Sequence, residues 1–163
     1  HFDVTIFYNN SNIYPLSEFE KRRDELIKFL SDFEKKEGYK VGLIIPKYDN
    51  DQYNIDLEPF ADLAEGSKRC FICYEKRMDQ AYAYAHKNNF VYFTTAMSIS
   101  RQKNSQILNA LGEKLSLLYP NTKYFYSDFK KNKGIDVARE MRDEYGLYQQ
   151  TYCGCKYTFL KKK

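Results

Sequence analysis

The strongest constraint on the fold is an alternation. Four short runs rich in β-branched and aromatic residues, Phe2 to Tyr8, Lys40 to Pro46, Phe90 to Thr95 and Lys123 to Phe129, are separated by longer stretches whose apolar residues recur at helical spacing. Strands spaced in this way are joined by helical crossovers rather than hairpins, which implies right-handed βαβ units and an α/β fold with a mostly parallel sheet flanked by helices. The first helix is predicted from Pro15 to Ser17 onward, with Phe19, Leu26, Ile27, Leu30 and Phe33 on one face and Gly38 closing it after a basic last turn. The run from Lys40 to Pro46 is nearly continuous in apolar residues, which predicts a strand buried on both faces. Residues 47 to 66 are mixed and acidic, with a helical turn expected around Ile55 to Leu63. Further helices are expected from Ser67 to about Asn88, from Asn104 to Tyr119 and from Ile135 to Tyr145, the last after the basic turn Lys130-Lys131-Asn132-Lys133-Gly134. An aromatic tail, Tyr148 to Phe159, follows, and Lys161-Lys162-Lys163 reads as a solvated end. At 163 residues the chain suits one domain spanning 1–163.

Ligands of such sheets bind beyond the carboxyl ends of the strands. Those ends carry Asn9, Asn10 and Asn12, then Thr94, Thr95 and Ser98, then Ser127 and Asp128, so polar groups from three turns are expected on one rim. The helix that opens at Ser67 carries Cys70-Phe71-Ile72-Cys73, two thiols one turn apart on one face. The helix N-terminus and the flanking Lys68, Arg69 and Arg77 favour thiolate, the form that ligates metals and attacks disulfides. In βαβ geometry this helix end faces the carboxyl end of the strand at Thr94, so the thiols and the polar turns are expected to share a cleft.

All four cysteines fall in two tight pairs, the second being Cys153-Gly154-Cys155, and no apolar run is long enough for a membrane span or a secretory segment. A cytoplasmic protein without a membrane partner is the expectation, with cysteines used for metal or redox chemistry rather than as a disulfide framework. The four thiolates complete the count for a zinc site, and three or four can also hold an iron–sulfur cluster, although simple ferredoxin spacing is absent. A thioredoxin-like dithiol is a third reading. Residues two apart form a disulfide only with distortion, which Gly154 relaxes, and such a bond is easily reduced and suits a store of two electrons.

Asp128 beside Lys130, Lys131 and Lys133 reads either as an ion-paired surface turn or as an oxygen ligand or proton donor at the rim. Arg101 and Lys103 either take phosphate or solvate a helix start. His1 and His86 carry no assigned role. A net charge of +4, with 16 Tyr and 12 Phe among the basic residues, permits a nucleic-acid partner without requiring one.

Five stretches carry a resemblance to a known family. They are Phe7-Tyr8-Asn9-Asn10-Ser11-Asn12-Ile13-Tyr14-Pro15 with Glu18 to Arg22, then Glu65 to Arg77 around both thiols, then Phe93-Thr94-Thr95 with Ser98 and Lys103, then Ser127 to Lys131, and finally Tyr145 to Cys155. In this order, along nearly the whole chain, the sequence resembles the QueH-type epoxyqueuosine reductases. The resemblance implies an α/β sheet related to nucleotide-binding, HUP-like domains. It implies a 4Fe-4S cluster held through Cys70 and Cys73, with Cys153 and Cys155 a redox-active pair or ligands of an adjacent mononuclear iron. The reaction implied removes the epoxide oxygen of epoxyqueuosine in tRNA, leaving queuosine and water, with electrons from an unidentified donor and Asp128 as acid or oxygen ligand. The family pattern begins with a strand and a Cys-Cys-x-Pro-Cys segment that adds cluster ligands, so a chain lacking that first strand–helix unit is expected. Gln149 stands where the family's Tyr-Arg-Gln run would place Arg. A non-catalytic, zinc-stabilised RNA-binding domain is the competing expectation, with a thiol oxidoreductase of protein substrates behind both.

Overall fold

Residues 2–161 are described by a computed structural model; His1, Lys162 and Lys163 lie outside the described residues. In chain order the elements are β1 (Thr5–Phe7), α1 (Leu16–Glu37), β2 (Gly42–Ile44), α2 (Asn50–Asn54), a 3-10 turn (Glu58–Phe60), α3 (Lys68–Lys87), β3 (Tyr92–Phe93), a second 3-10 turn (Ala96–Ile99), α4 (Ser105–Ser116), β4 (Lys123–Tyr124), α5 (Gly134–Glu144) and α6 (Lys156–Lys161). The fold is α/β with parallel strand pairing, as the alternation predicts. By internal packing the chain divides into two compact units, one made of His1–Asp62 with Glu140–Lys163, the other of Leu63–Arg139. The parallel pairing takes the form of two separate two-stranded ladders, β1 with β2 and β3 with β4. Among the described residues no helix is long and apolar enough to cross a membrane.

In the first unit β1 and β2 pair Thr5 with Gly42, Ile6 with Leu43 and Phe7 with Ile44. α1 occupies the span its periodicity predicts and is closed by Gly38, whose N–H donates to Glu34 O at 3.0 Å. Its Phe19 is buried with Tyr8 and Ile13, and Leu26, Leu43 and Tyr48 pack against that cluster. Burying a side chain of this size contributes about 1.5–3 kcal/mol. Ile27, expected on the same face, is exposed. β2 is half-buried rather than buried on both faces and Ile45 beyond it is exposed: Leu43 packs against the cluster that Phe19 of α1 supplies, and among the described residues β1 is the one strand paired with it. The acidic stretch forms the expected helical turn as the 3-10 turn Glu58–Phe60, and ahead of it an unexpected α2, Asn50–Asn54, where the Asp49 carboxylate accepts the Gln52 N–H at 3.0 Å and caps it.

The second unit is built on Met78, Tyr82, Ala85, Phe93, Leu108 and Leu115, supplied by α3, β3 and α4. Tyr82 has no exposed surface; its ring lies 4.5 Å from Phe93 and 5.0 Å from Tyr119, and its hydroxyl donates to Thr122 O at 2.7 Å. α4 approaches β4 so closely at Gly112 that an added Cβ would fall 2.1 Å from Cζ of Tyr124. That contact sets the helix over the ladder and brings the start of α4 to the carboxyl ends of β3 and β4.

Candidate functional site

α3 begins at Lys68 with Ser67 at its N-cap, as the motif predicts, but the Ser67 hydroxyl does not cap it. It donates backward to Ala64 O at 2.5 Å, within the turn that leads into the helix. Cys70 and Cys73 therefore sit one turn apart at the amino-terminal end, where helix amides and dipole favour negative charge. The Cys70 Sγ accepts the Gly66 N–H at 3.2 Å. Arg69 between Ser67 and Cys70 is 2% exposed, an unusual setting for a guanidinium, and it brings a fixed positive charge to this end of the helix.

One turn further, Arg77 Nη1 donates to Met97 Sδ at 3.5 Å, and the Lys103 ammonium lies 5.9 Å from the centre of the Tyr74 ring. Met97 follows β3 directly, so the amino-terminal half of α3 faces the carboxyl end of that strand, as βαβ geometry predicts. The polar turns of this unit meet there. Thr94 Oγ1 donates to Phe125 O at 2.9 Å and lies 2.9 Å from Ser127 Oγ, while Phe129 N–H donates to Ser98 Oγ at 3.4 Å. Asp128 Oδ2 accepts from Ser105 Oγ at 2.8 Å and Oδ1 from Lys130 N at 3.2 Å. The Ser105 hydroxyl, ahead of the Lys130 amide and charge, holds the Asp128 carboxyl below the usual carboxylate range, so it is an anion and an oxygen donor. Asn9, Asn10 and Asn12 belong to the other unit.

Two groups take roles at this rim that the sequence did not show: Asn109 was not singled out, and Lys130 was read only as a charge beside Asp128. Asn109, 1% exposed in α4, donates to Ser127 O at 2.9 Å and accepts from Ser127 N at 3.1 Å and Tyr124 Oη at 2.8 Å. Lys130 Nζ donates to Ser98 O at 2.8 Å and Lys103 O at 3.0 Å, tying three turns together. The available signal was a lone Asn within the apolar stripe Leu108, Leu111 and Leu115.

Cys153 and Cys155 belong to the first unit and occupy a turn held at three points. Tyr14 N–H donates to Gly154 O at 2.8 Å, Ile13 and Cys155 form an antiparallel bridge, and Arg22 Nη2 donates to Tyr152 O at 3.0 Å. Arg22 is itself fixed by Glu18, Nε to Oε1 at 2.8 Å, on the neighbouring turn of α1. The Tyr152 hydroxyl donates to Tyr14 O, and burial, with Glu18 adding to it, pushes its pKa up to about 12. None of the four cysteines is disulfide-bonded and all four are half-buried.

Each unit thus offers one pair of soft sulfur donors, a set suited to iron–sulfur or zinc chemistry. Among the described residues neither unit gathers three or more His, Cys, Asp or Glu side chains into a group that could hold a metal ion. The donors fit a cluster or ion as half a ligand set apiece.

The family model for the epoxyqueuosine reductase QueH matches residues 1–161, a span that contains both thiol pairs and Asp128. The chain belongs to the QueH family. A QueH relative from Streptococcus pyogenes is 38% identical over 95% of this chain and 60% of its own length. One from Staphylococcus epidermidis is 35% identical over 98% of the chain and 68% of its own length, and one from Thermotoga maritima 29% identical over 99% and 82%. The chain thus spans about three fifths of the Streptococcus relative and more of the other two. Each of these relatives is named epoxyqueuosine reductase QueH.

Proposed function

We propose that this chain carries the thiol chemistry of an epoxyqueuosine reductase that acts on tRNA in the cytoplasm. The observation that supports it is the family match over residues 1–161, which takes in Cys70, Cys73, Asp128, Cys153 and Cys155 in one span. Cys70 and Cys73 would hold a 4Fe-4S cluster, and Cys153 and Cys155 would act as a redox pair or as ligands of an adjacent mononuclear iron. When bound, such iron centres supply electrons and a Lewis-acidic position.

The chain's own residues account for the balance of the step. Conversion of an epoxide to an alkene and water consumes two electrons and two protons. Oxidation of the Cys153 and Cys155 thiols to a disulfide releases two of each, so substrate plus dithiol gives alkene, water and disulfide. An external reductant then restores the thiols. The Arg22 contact to Tyr152 O and the Tyr14 contact to Gly154 O fix the backbone on which both sulfurs are carried. Asp128, ionised and hydrogen-bonded to Ser105, presents an oxygen donor at the rim beside the α3 end.

Anaerobic reconstitution with iron and sulfide, followed by assay of iron, acid-labile sulfide and zinc per chain, tests this reading. Iron with sulfide is expected, together with loss of the cluster absorbance in Cys70→Ser and Cys73→Ser and conversion of epoxyqueuosine-bearing tRNA that fails in Cys153→Ser. Zinc without sulfide would replace the reading with a metal-stabilised RNA-binding domain.

A further inference from the structure

Beyond the ends of β3 and β4 the second unit holds a cavity of about 560 Å³ whose lining includes Arg101, Lys103, Lys130, Lys131, Tyr126 and Asp128. Its charge is lopsided, with four cations facing a single carboxylate. Asp128 is matched by Lys130, 3.6 Å away, which also holds the Ser98 and Lys103 carbonyls and so serves as a wall of the cavity. Arg101, Lys103 and Lys131 add three more positive charges to the lining, which holds no second carboxylate. Arg101 and Lys131 are exposed. The helix end contributes little of this field, because the Asn104 side chain already accepts the Gln106 and Ile107 amides at the start of α4.

A dianion or a phosphodiester is the chemistry that such a cavity recognises. Inorganic phosphate would leave most of it empty, since volumes of roughly 300–1,000 Å³ are those of sites for nucleotide-sized ligands. Aromatic faces supply the remainder. Tyr126 is 57% exposed at the cavity, and Phe125 and Phe129 beside it are also open to solvent. The Phe125 ring is braced edge-on by Tyr92 at 6.2 Å. Open aromatic rings interleaved with cations are the pattern by which unpaired RNA is held, bases stacked and phosphates neutralised. The cavity also adjoins the thiol helix, because Lys103 lies over Tyr74, the neighbour of Cys73.

We propose that this cavity holds a backbone phosphate of a single-stranded RNA segment through Arg101, Lys103 and Lys131, with an adjoining base against Tyr126. The inference rests on the tRNA reading above and assigns it a binding site. Fluorescence anisotropy of a labelled single-stranded RNA oligonucleotide on the intact chain, measured across a salt series, tests it.

Arg101→Gln and Lys131→Gln should each weaken binding about tenfold, the worth of one charge-assisted contact, and each should flatten the log K against log salt slope by about 0.7–1. Lys131→Arg should retain affinity, Tyr126→Ala should lose it without changing the slope, and Lys87→Gln at the far end of α3 should change neither. Circular dichroism of each variant checks that it is folded, and the charge-retaining variant separates charge from folding. Unchanged affinity and slope in the Arg101→Gln, Lys131→Gln double variant would overturn the proposal. So would saturable binding of inorganic phosphate that this double variant abolishes while RNA binding persists, since the site would then serve a free phosphate. Reduction of epoxyqueuosine, assayed in parallel, separates the two readings. A wild-type chain that reduces its substrate while the double variant binds RNA normally refutes the cavity alone, whereas cavity-dependent RNA binding without reduction refutes the reductase reading and supports the cavity.

Discussion

Replacing Gly154 by Ala probes how the second thiol pair is held. Gly154 has φ +100°, outside the regions open to residues with a side chain, and an added Cβ would lie 2.8 Å from Ile13 Cγ1 and 3.3 Å from its Cα. The backbone conformation alone costs about 1–3 kcal/mol. Ile13 cannot yield freely, because it is 3% exposed in the Tyr8 and Phe19 cluster and bridges Cys155. Forcing a carbon into such a setting costs about 1–3 kcal/mol more. The total, about 2–6 kcal/mol, is a large share of the roughly 5–15 kcal/mol by which a domain is stable. Gly146 is the control: its φ is +60° but nothing lies within 4 Å of an added Cβ, so Gly146→Ala should show only the conformational part, about 1–2 kcal/mol. Urea unfolding of both variants, with m unchanged, reads the difference. Ile13→Ala, which removes the clashing Cγ1, should cost less in the Gly154→Ala background than in the wild-type chain, as residues in contact are not additive. If Gly154→Ala and Gly146→Ala cost the same within about 0.5 kcal/mol, the Ile13 contact is not what shapes the turn.

Two further outcomes follow from side-chain contacts, one in each unit. Arg22→Ala removes the contacts to Glu18 and Tyr152 O, where the Arg22 and Glu18 side chains are only 10% and 13% exposed, and should cost about 1.5–3 kcal/mol in urea unfolding. An Arg22→Ala, Glu18→Gln double variant should show strong coupling, and additive losses would refute the pairing. Tyr119, whose hydroxyl donates to Asp79 at 2.6 Å, has its pKa pushed up to about 12 by that bond first and by burial second. The unfolded phenol ionises near about 10, so the folded state holds this proton more tightly; its contribution is complete below about pH 10 and is lost as the pH rises toward 12. Stability should therefore fall over that window more steeply than in Asp79→Asn, and equal slopes would refute the assignment.

Much of the scaffold was legible because periodicity and end signals agree. α1 runs from the Pro15 N-cap to Gly38 and α3 from Ser67 to Asn88, both where the apolar spacing and flanking residues place them. The strands were found but overestimated in length. Phe2 to Tyr8 is reduced to Thr5–Phe7 and Lys123 to Phe129 to Lys123–Tyr124, since β-propensity marks extended chain whereas a ladder also needs a partner alongside. The turn expected around Ile55 to Leu63 is there as Glu58–Phe60, whereas α2, which rests on the Asp49 cap, was not marked by apolar counting. At the site, the thiol pairs and Asp128 were visible as residue types, and the polar turns after β3 and β4 do meet. Asn109, the carbonyl contacts of Lys130 and the burial of Arg69 were not foreseen, because a polar side chain is legible as buried only once the groups that satisfy it are in place.

The Ile13 bridge to Cys155 also sets a timetable. Its two sides are separated by about 140 residues, with the whole of Leu63–Arg139 between them, and at synthesis rates of about 5–20 residues per second Ile13 waits roughly seven to thirty seconds for its partner. The intervening unit has all its own segments in hand about one to three seconds earlier, since Arg139 precedes Cys155 in the chain. Cys153 and Cys155 thus acquire their held shape only after the whole of Leu63–Arg139 has been made, when Tyr14 meets Gly154.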